Sequence, residues 1–187
     1  MKKVFFLLAL LLGLGSKTVM AQNLPPYDTA LKKIIYTEVV QVPGASKDLL
    51  YDRAIRTLGE MYHYANDKFA EKDKANGKIV FNGYTRVIYK IDNGTNMTDP
   101  DLIKYKFTLW FKDGKYKYEI TDFIINRGNV PFHIERWRQS IIDKDKKFGK
   151  EDRIVEKMNF VVDDISKVLD RLKKSMVSDK VEEKKDW

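Results

Sequence analysis

The chain contains no cysteine and only two histidines among its 187 residues. Without thiols it can form neither a disulfide nor a thiolate nucleophile, and it has no cysteine ligand for zinc. The same absence excludes a lipid-bearing cysteine behind an export leader. Glycine-rich phosphate loops and a G-x-S-x-G nucleophile elbow are also missing. No run of apolar residues reaches the roughly twenty needed to span a bilayer as a helix. What is scarce therefore removes thiol, phosphate-loop and nucleophile-elbow chemistry.

The longest apolar run lies at the start, from Val4 to Leu14, behind Lys2 and Lys3. Val19-Met20-Ala21 places small residues where a secretory signal is cut, which predicts export with cleavage before Gln22. Loss of Lys2, Lys3 and Lys17 lowers the formal charge from +8 by three, to +5. The exported chain is thus mildly basic, suited to anionic surfaces such as acidic glycans, lipid head groups or acidic proteins. A cysteine-free exported domain must be held by its core alone. That points to a bacterial envelope, in the periplasm or outside the cell.

Residues 22–32 are proline-rich and polar, and read as a flexible leader to a single domain over 33–176, with a charged tail at 177–187. Ile34 to Val42 is β-branched and predicts a strand, stopped by Pro43-Gly44. Ser46 is an N-cap and Asp48 sits in the first turn, where the helix dipole favours a negative charge. Leu50, Ala54, Leu58, Met61 and Ala65 then recur at steps of three and four, predicting a helix to about Asn66. The charged stretch after it reads as loose. Lys78 to Ile91 predicts a long strand, with a bulge or bend at Gly83, and Asp92 to Pro100 a loop.

Leu102 to Lys112 alternates, with Ile103, Tyr105, Phe107, Leu109 and Phe111 on one face. Asp113-Gly114 is a two-residue hairpin turn, and Tyr116, Tyr118 and Ile120 continue the apolar face on the return strand. Pro131 to Trp137 reads as a short fifth strand. Ile154, Met158, Val161, Ile165, Val168 and Leu172 form the stripe of a last helix. Three heptads with a broad seam favour packing on its own sheet over a coiled coil. The order predicts an α+β two-layer sandwich, an antiparallel sheet with two helices on one face.

The segments Ile35-Tyr36-Thr37-Glu38-Val39-Val40, Pro43-Gly44-Ala45-Ser46-Lys47-Asp48-Leu49-Leu50-Tyr51 and Gly77-Lys78-Ile79-Val80 recur in order with Phe111-Lys112-Asp113-Gly114-Lys115-Tyr116-Lys117-Tyr118 and Thr121-Asp122-Phe123. With the leader, they resemble a family of secreted bacterial domains of unknown function with a TATA-binding-protein-like (TBP-like) fold. The resemblance covers roughly residues 31–125 and, loosely, the last helix. It implies a β-α-β4-α layout and an exported compartment, and transfers no catalytic or binding residue. An exported protein does not meet promoter DNA, and no pair of apolar wedges for a minor groove is visible. Nucleic acid is therefore not an expected partner.

Candidate chemistry is thin. His63 reads as a helix-surface residue. His133, Glu135 and Ser140 lie near one another in sequence, but one His and one Glu make no zinc site, and no nucleophile, base and orienting acid are seen in relation. Asp143-Lys144-Asp145 and Glu151-Asp152 loosely echo a calcium loop, yet Lys147 occupies its fifth position and Gly149 its seventh, so they read as a charged turn. Asn93-Gly94-Thr95 and Asn96-Met97-Thr98 match a glycosylation triplet and read as turn residues. No cofactor or metal is expected.

The constellation to follow is the sheet face away from the helices. Alternation places there Tyr84 and Arg86, then Lys104, Lys106, Trp110 and Lys112, then Lys117, with Val80, Lys90, Thr108, Lys115, Glu119 and Thr121 among them. Rings among cations can hold sugars by stacking and anions by charge. The expected function is a non-catalytic binding or interaction module whose partner is an envelope protein, a glycan or another anionic ligand. The alternatives are a small hydrolase or glycan-active enzyme at His133 and Glu135, and self-association through the last helix. Residues 126–149 are the segment able to cover the bare face.

Overall fold

In the computed structural model, residues 24–63, 66–90, 95–127, 130–145, 147 and 149–177 are described; the expected signal and most of the tail lie outside them. The elements are β1 (Tyr27–Asp28), β2 (Lys33–Ile34), β3 (Tyr36–Gln41), α1 (Lys47–Met61), β4 (Phe69–Asp73), β5 (Lys78–Lys90), β6 (Asn96–Lys112), β7 (Lys115–Arg127), β8 (Val130–His133), α2 (Glu135–Ile142) and α3 (Glu151–Val177). Six strands form one antiparallel sheet in the order β3-β7-β6-β5-β4, with β8 continuing along the same edge of β7 as β3. Helices α1 and α3 pack together and on β5, β6 and β7, and α2 packs against α3.

Alternation along β6 and β7 sets the two faces, as expected. Ile103, Phe107, Leu109, Phe111, Tyr116 and Ile120 are fully or almost fully buried beneath the helices. The α3 stripe Ile154, Met158, Val161, Ile165, Leu172 and Met176 closes the same core. It is used inside the domain, as the broad seam implied, rather than left for a second copy.

Two turns lock the sheet to α1. Gly114 has φ +73° in the tight turn joining β6 to β7, a conformation that glycine adopts without strain. Its N–H donates to the Ala45 carbonyl at 2.8 Å, and the Val42 N–H donates to the Gly114 carbonyl at 2.7 Å. At the start of α1, the Leu49 N–H donates to Ser46 Oγ and the Lys47 N–H to Asp113 Oδ1. The helix N-terminus is thus capped from its own chain and from the hairpin tip.

Several expectations are corrected. The leader is not flexible from Leu24 onward: Leu24 and Tyr27 pack on the core, and β1 pairs with β2, Tyr27 opposite Ile34. The first strand is interrupted at Ile35 between β2 and β3. Helix α1 ends at Met61, and His63 follows at φ +55°, outside the helix rather than on its surface. The stretch read as loose contains β4, an edge strand whose alternating polar residues hide the pattern. Strand β6 starts at Asn96, inside the expected loop, and loses register opposite the stretch holding Pro100, whose nitrogen has no hydrogen to donate. The expected fifth strand is β8 followed by α2, so the helical layer has three helices rather than two.

Gly83 makes no bulge. It pairs squarely with Tyr105, and a Cβ there would lie 2.2 Å from the Tyr105 ring. The glycine is the space into which that ring fits. Its hydroxyl is hydrogen-bonded to Tyr62 at the end of α1, and burial pushes Tyr62 up to about 12 and Tyr105 well above its ordinary value.

Candidate functional site

Short of the register shift after Arg86, the ladder places the sheet-face candidates where alternation put them, and the Lys90 side chain lies outside what is described. Lys78 faces Trp110, Val80 faces Thr108, Asn82 faces Lys106, and Tyr84 faces Lys104 across β5 and β6. On the other side Trp110 faces Lys117 and Thr108 faces Glu119 across β6 and β7. Residues directly opposite share a face, so these positions form one surface away from the helices.

That surface carries two hollows rather than one continuous site. The first, about 610 Å³, joins Tyr84, Arg86, Lys104 and Lys106 with Asn82 and Asp122. The second, about 400 Å³, joins Trp110, Lys112 and Lys117 with Val39, Lys115 and Tyr116. The seven candidates thus divide four and three. Lys106 and Trp110, the nearest lining residues of the two on β6, are four residues apart, which separates the hollows by roughly 13 Å at about 3.3 Å per residue.

In the first hollow, Asp122 organises the charges. It sits at φ +56° where the β6–β7 ladder shifts register between Lys104 and Lys106, so its carboxylate leaves the regular strand pattern. Lys106 Nζ lies 2.8 Å from one oxygen and Lys33 Nζ 2.6 Å from the other. Burial pushes this carboxyl up, but the hydrogen bonds and charges of the two lysines outweigh it and hold it below the usual carboxylate range. The Asp122 hydrogen bond in turn raises Lys33. Arg86 and Lys104 are exposed and, among the described residues, have no carboxylate partner. Tyr84 leans over the sheet edge, because β4 covers β5 only as far as Phe81; its ring meets Tyr62 edge-on at 5.6 Å.

In the second hollow, Trp110 is half-buried and Val39 is 54% exposed. Lys117 Nζ lies over the indole, 5.1 Å from the ring centre, with Glu119 3.9 Å away. Lys112 and Lys115 are exposed at the hairpin end with no carboxylate partner among the described residues. Neither hollow is lined by any residue beyond Ile124. Strand β8 extends the sheet edge, and α2 lies with α3, where Lys157 stands over the Trp137 ring. The described part of 126–149 therefore leaves Trp110 uncovered.

Of the residues considered for catalysis, Ser140 and one oxygen of Glu135 are engaged in the scaffold. The Ser140 hydroxyl is buried and donates to the Trp137 carbonyl at 2.9 Å. Glu135 Oε1 accepts the Ile34 N–H at 3.0 Å, bracing β2 against α2. His133 is an exposed residue of β8 opposite Ile124. His63 lines a separate hollow with Tyr84, Asp164 and Arg171. Asp143 accepts from the Gln139 amide and Asp145 from the Lys147 N–H, as a charged turn would. Among the described residues, no three His, Asp or Glu side chains converge as metal ligands, and no helix is long and apolar enough to cross a membrane. Asn93 lies outside the described residues.

Sequence reasoning missed Asp122, Lys33 and Val39 as members of this face. Asp122 reaches it through a bulge, and Lys33 through a short strand that the leader was thought to precede. Val39 could have been found, since Thr37, Val39 and Gln41 alternate away from the helices and Val39 pairs with Lys117.

Residues 36–126 match the family model described as a domain of unknown function (DUF4468) with TBP-like fold. A DUF4468 family protein from Bacteroides ovatus superposes with a TM-score of 0.63 at 17% identity, covering 87% of this chain and 94% of that one. A TBP-like protein from Parabacteroides distasonis gives 0.57 at 16% identity, over 79% of this chain and 96% of that one. Among curated proteins, none matches. The antiparallel sheet under one helical layer is the TBP-like fold, and its strands β3 to β7 with α1 are the part that matches the DUF4468 family model.

Proposed function

We propose that this protein is a non-catalytic binding module of the bacterial envelope that works through the helix-free face of its sheet. One observation carries the reading. Among the described residues, Arg86, Lys104, Lys112 and Lys115 are exposed on that face without carboxylate partners, beside two partly buried rings, while Glu135, the carboxylate considered for catalysis, gives one oxygen to the Ile34 N–H. Lysines on a sheet serve solubility when scattered. Here they gather around aromatic hollows, and the helices and β8 leave them open. The predicted export signal supports the compartment.

Affinity capture from envelope fractions tests the reading, with residues 22–187 beside a folded Trp110→Ala, Lys106→Glu variant. A partner held by the wild type and lost by the variant is the expected outcome. Equal capture by both overturns the assignment to this face.

A further inference from the structure

Resting on that reading, we infer that the face takes one extended acidic glycan, lying along β6 and engaging both hollows at once. The spacing argues for a polymer. Among the described residues, the cations without a carboxylate partner fall into two groups, Arg86 with Lys104 and Lys112 with Lys115, at opposite ends of a strand stretch roughly 26 Å long. Between them Lys106 is neutralised by Asp122, and Lys117 has Glu119 nearby. A single small anion would satisfy one group and leave the other unpaired. A chain with acidic groups at intervals meets both, and the second contact is then intramolecular.

Each end also offers a ring and an apolar wall to the carbon face of a sugar: Tyr84 with Leu102 and Ile124 at one, Trp110 with Val39 at the other. A plain acidic peptide such as poly-glutamate would find the charges but brings no flat group to lay on a ring at each end. Lys117 now stands over Trp110. An acidic group arriving beside it draws the ammonium off the indole and opens the ring for stacking, so Trp110 reports on binding.

The probes are heparin-derived oligosaccharides (sulfated) and oligogalacturonates (carboxylated), from disaccharide to dodecasaccharide, with neutral dextran and poly-glutamate as comparators. Binding is followed by calorimetry and by Trp110 emission, isolated by difference against Trp110→Phe. Acidic dodecasaccharides are expected to bind on the order of a hundredfold more tightly than disaccharides, the gain that bridging two sites provides. Arg86→Ala with Lys104→Ala, or Lys112→Ala with Lys115→Ala, should each abolish that length dependence. Lys167→Ala with Lys174→Ala, which removes the same charge from exposed positions on α3, should not.

Preference for the sulfated or the carboxylated series identifies the acidic group. Length-independent affinity, equal loss in the α3 variant, or equal binding of poly-glutamate overturns the inference. If no glycan binds while the envelope partner is still lost by the Trp110→Ala, Lys106→Glu variant, the glycan track falls and the binding face stands. If neither binds, both fall.

Discussion

The Asp113 carboxylate accepts the Lys47 backbone N–H at 2.7 Å, so the tip of the β6–β7 hairpin caps the helix that packs over it. Two segments 66 residues apart are joined where each would otherwise leave a turn exposed. A cap of this kind contributes about 1 kcal/mol. Asp113→Ala should lower the thermal midpoint by a few degrees, and Asp113→Asn, which keeps an acceptor oxygen, by less. Thermal unfolding followed by circular dichroism measures both. An unchanged midpoint in Asp113→Ala would show that Ser46 alone secures the helix.

Gly83 and Tyr105 form a matched pair of another kind. A methyl at residue 83 would meet a ring that cannot retreat, held by the Tyr62 hydroxyl and packed 5.5 Å from Phe123. Gly83→Ala is therefore expected to destabilise by about 1–3 kcal/mol, as overpacking does. Combined with Tyr105→Ala, it should cost clearly less than the two single losses together, because the clash partner is gone. Additive losses in urea denaturation would refute the steric account.

Arg53 is buried in α1 and donates from its guanidinium to the Met176 carbonyl in the last turn of α3. The bond ties the middle of α1 to the C-terminal end of the described α3. Arg53→Met keeps much of the packing and removes the donor, with a loss of about 1–3 kcal/mol for the orphaned group. Amide exchange should rise first in the last turn of α3. Uniform acceleration throughout the domain would assign Arg53 a general packing role instead.

Glu38 on β3 gives the fold an acid-sensitive contact. Hydrogen bonds from Lys173 and then Tyr118 hold its carboxyl below the usual range. A depressed carboxyl contributes stability above its unfolded pKa and loses that contribution as pH falls through its folded pKa. Stability should therefore decline on acidification through the lower part of the carboxylate range, and Glu38→Gln should flatten part of that decline. Because Glu38 is about half exposed, the effect is small and salt-sensitive. Denaturant midpoints across acidic pH test it, and equal slopes in both proteins would count against the assignment.

The parts of this molecule legible in its sequence are those where one physical period dominates. The alternation from Ile103 to Phe111 separates core from open face, and the steps from Ile154 to Leu172 define the buried stripe of α3. Asp113-Gly114 and Ser46 act locally, and both are found where their chemistry requires. Strand β4 was hidden because an edge strand is stabilised by its neighbour and tolerates Glu71, Lys72 and Asp73 in place of apolar residues. Helix α2 was hidden because it is eight residues long and packs on α3 rather than following its own propensity. Gly83 reads as a bulge until the ring it accommodates is known. The candidate face was legible as a face. Its division into two hollows was not, nor was the pairing of Asp122 with Lys106, which depends on a bulge that alternation cannot foresee.

That neutralisation gives the sharpest test of how the face works. Two carboxylates line the first hollow: Asp67, which pairs with Lys68, and Asp122, which holds Lys106 of the lining and Lys33 from β2. Asp122→Asn removes the charge and retains a side chain that tolerates φ +56°. Lys106 then becomes a third free cation beside Arg86 and Lys104. Binding of an acidic dodecasaccharide should tighten several-fold, and the gain should shrink as salt rises, since exposed charges are screened beyond about 8–10 Å at physiological ionic strength. Asp122→Ala would confound the result by placing an ordinary residue at a left-handed position. If Asp122→Asn instead weakens binding while the fold melts as before, Asp122 positions Lys106 for the ligand rather than competing with it.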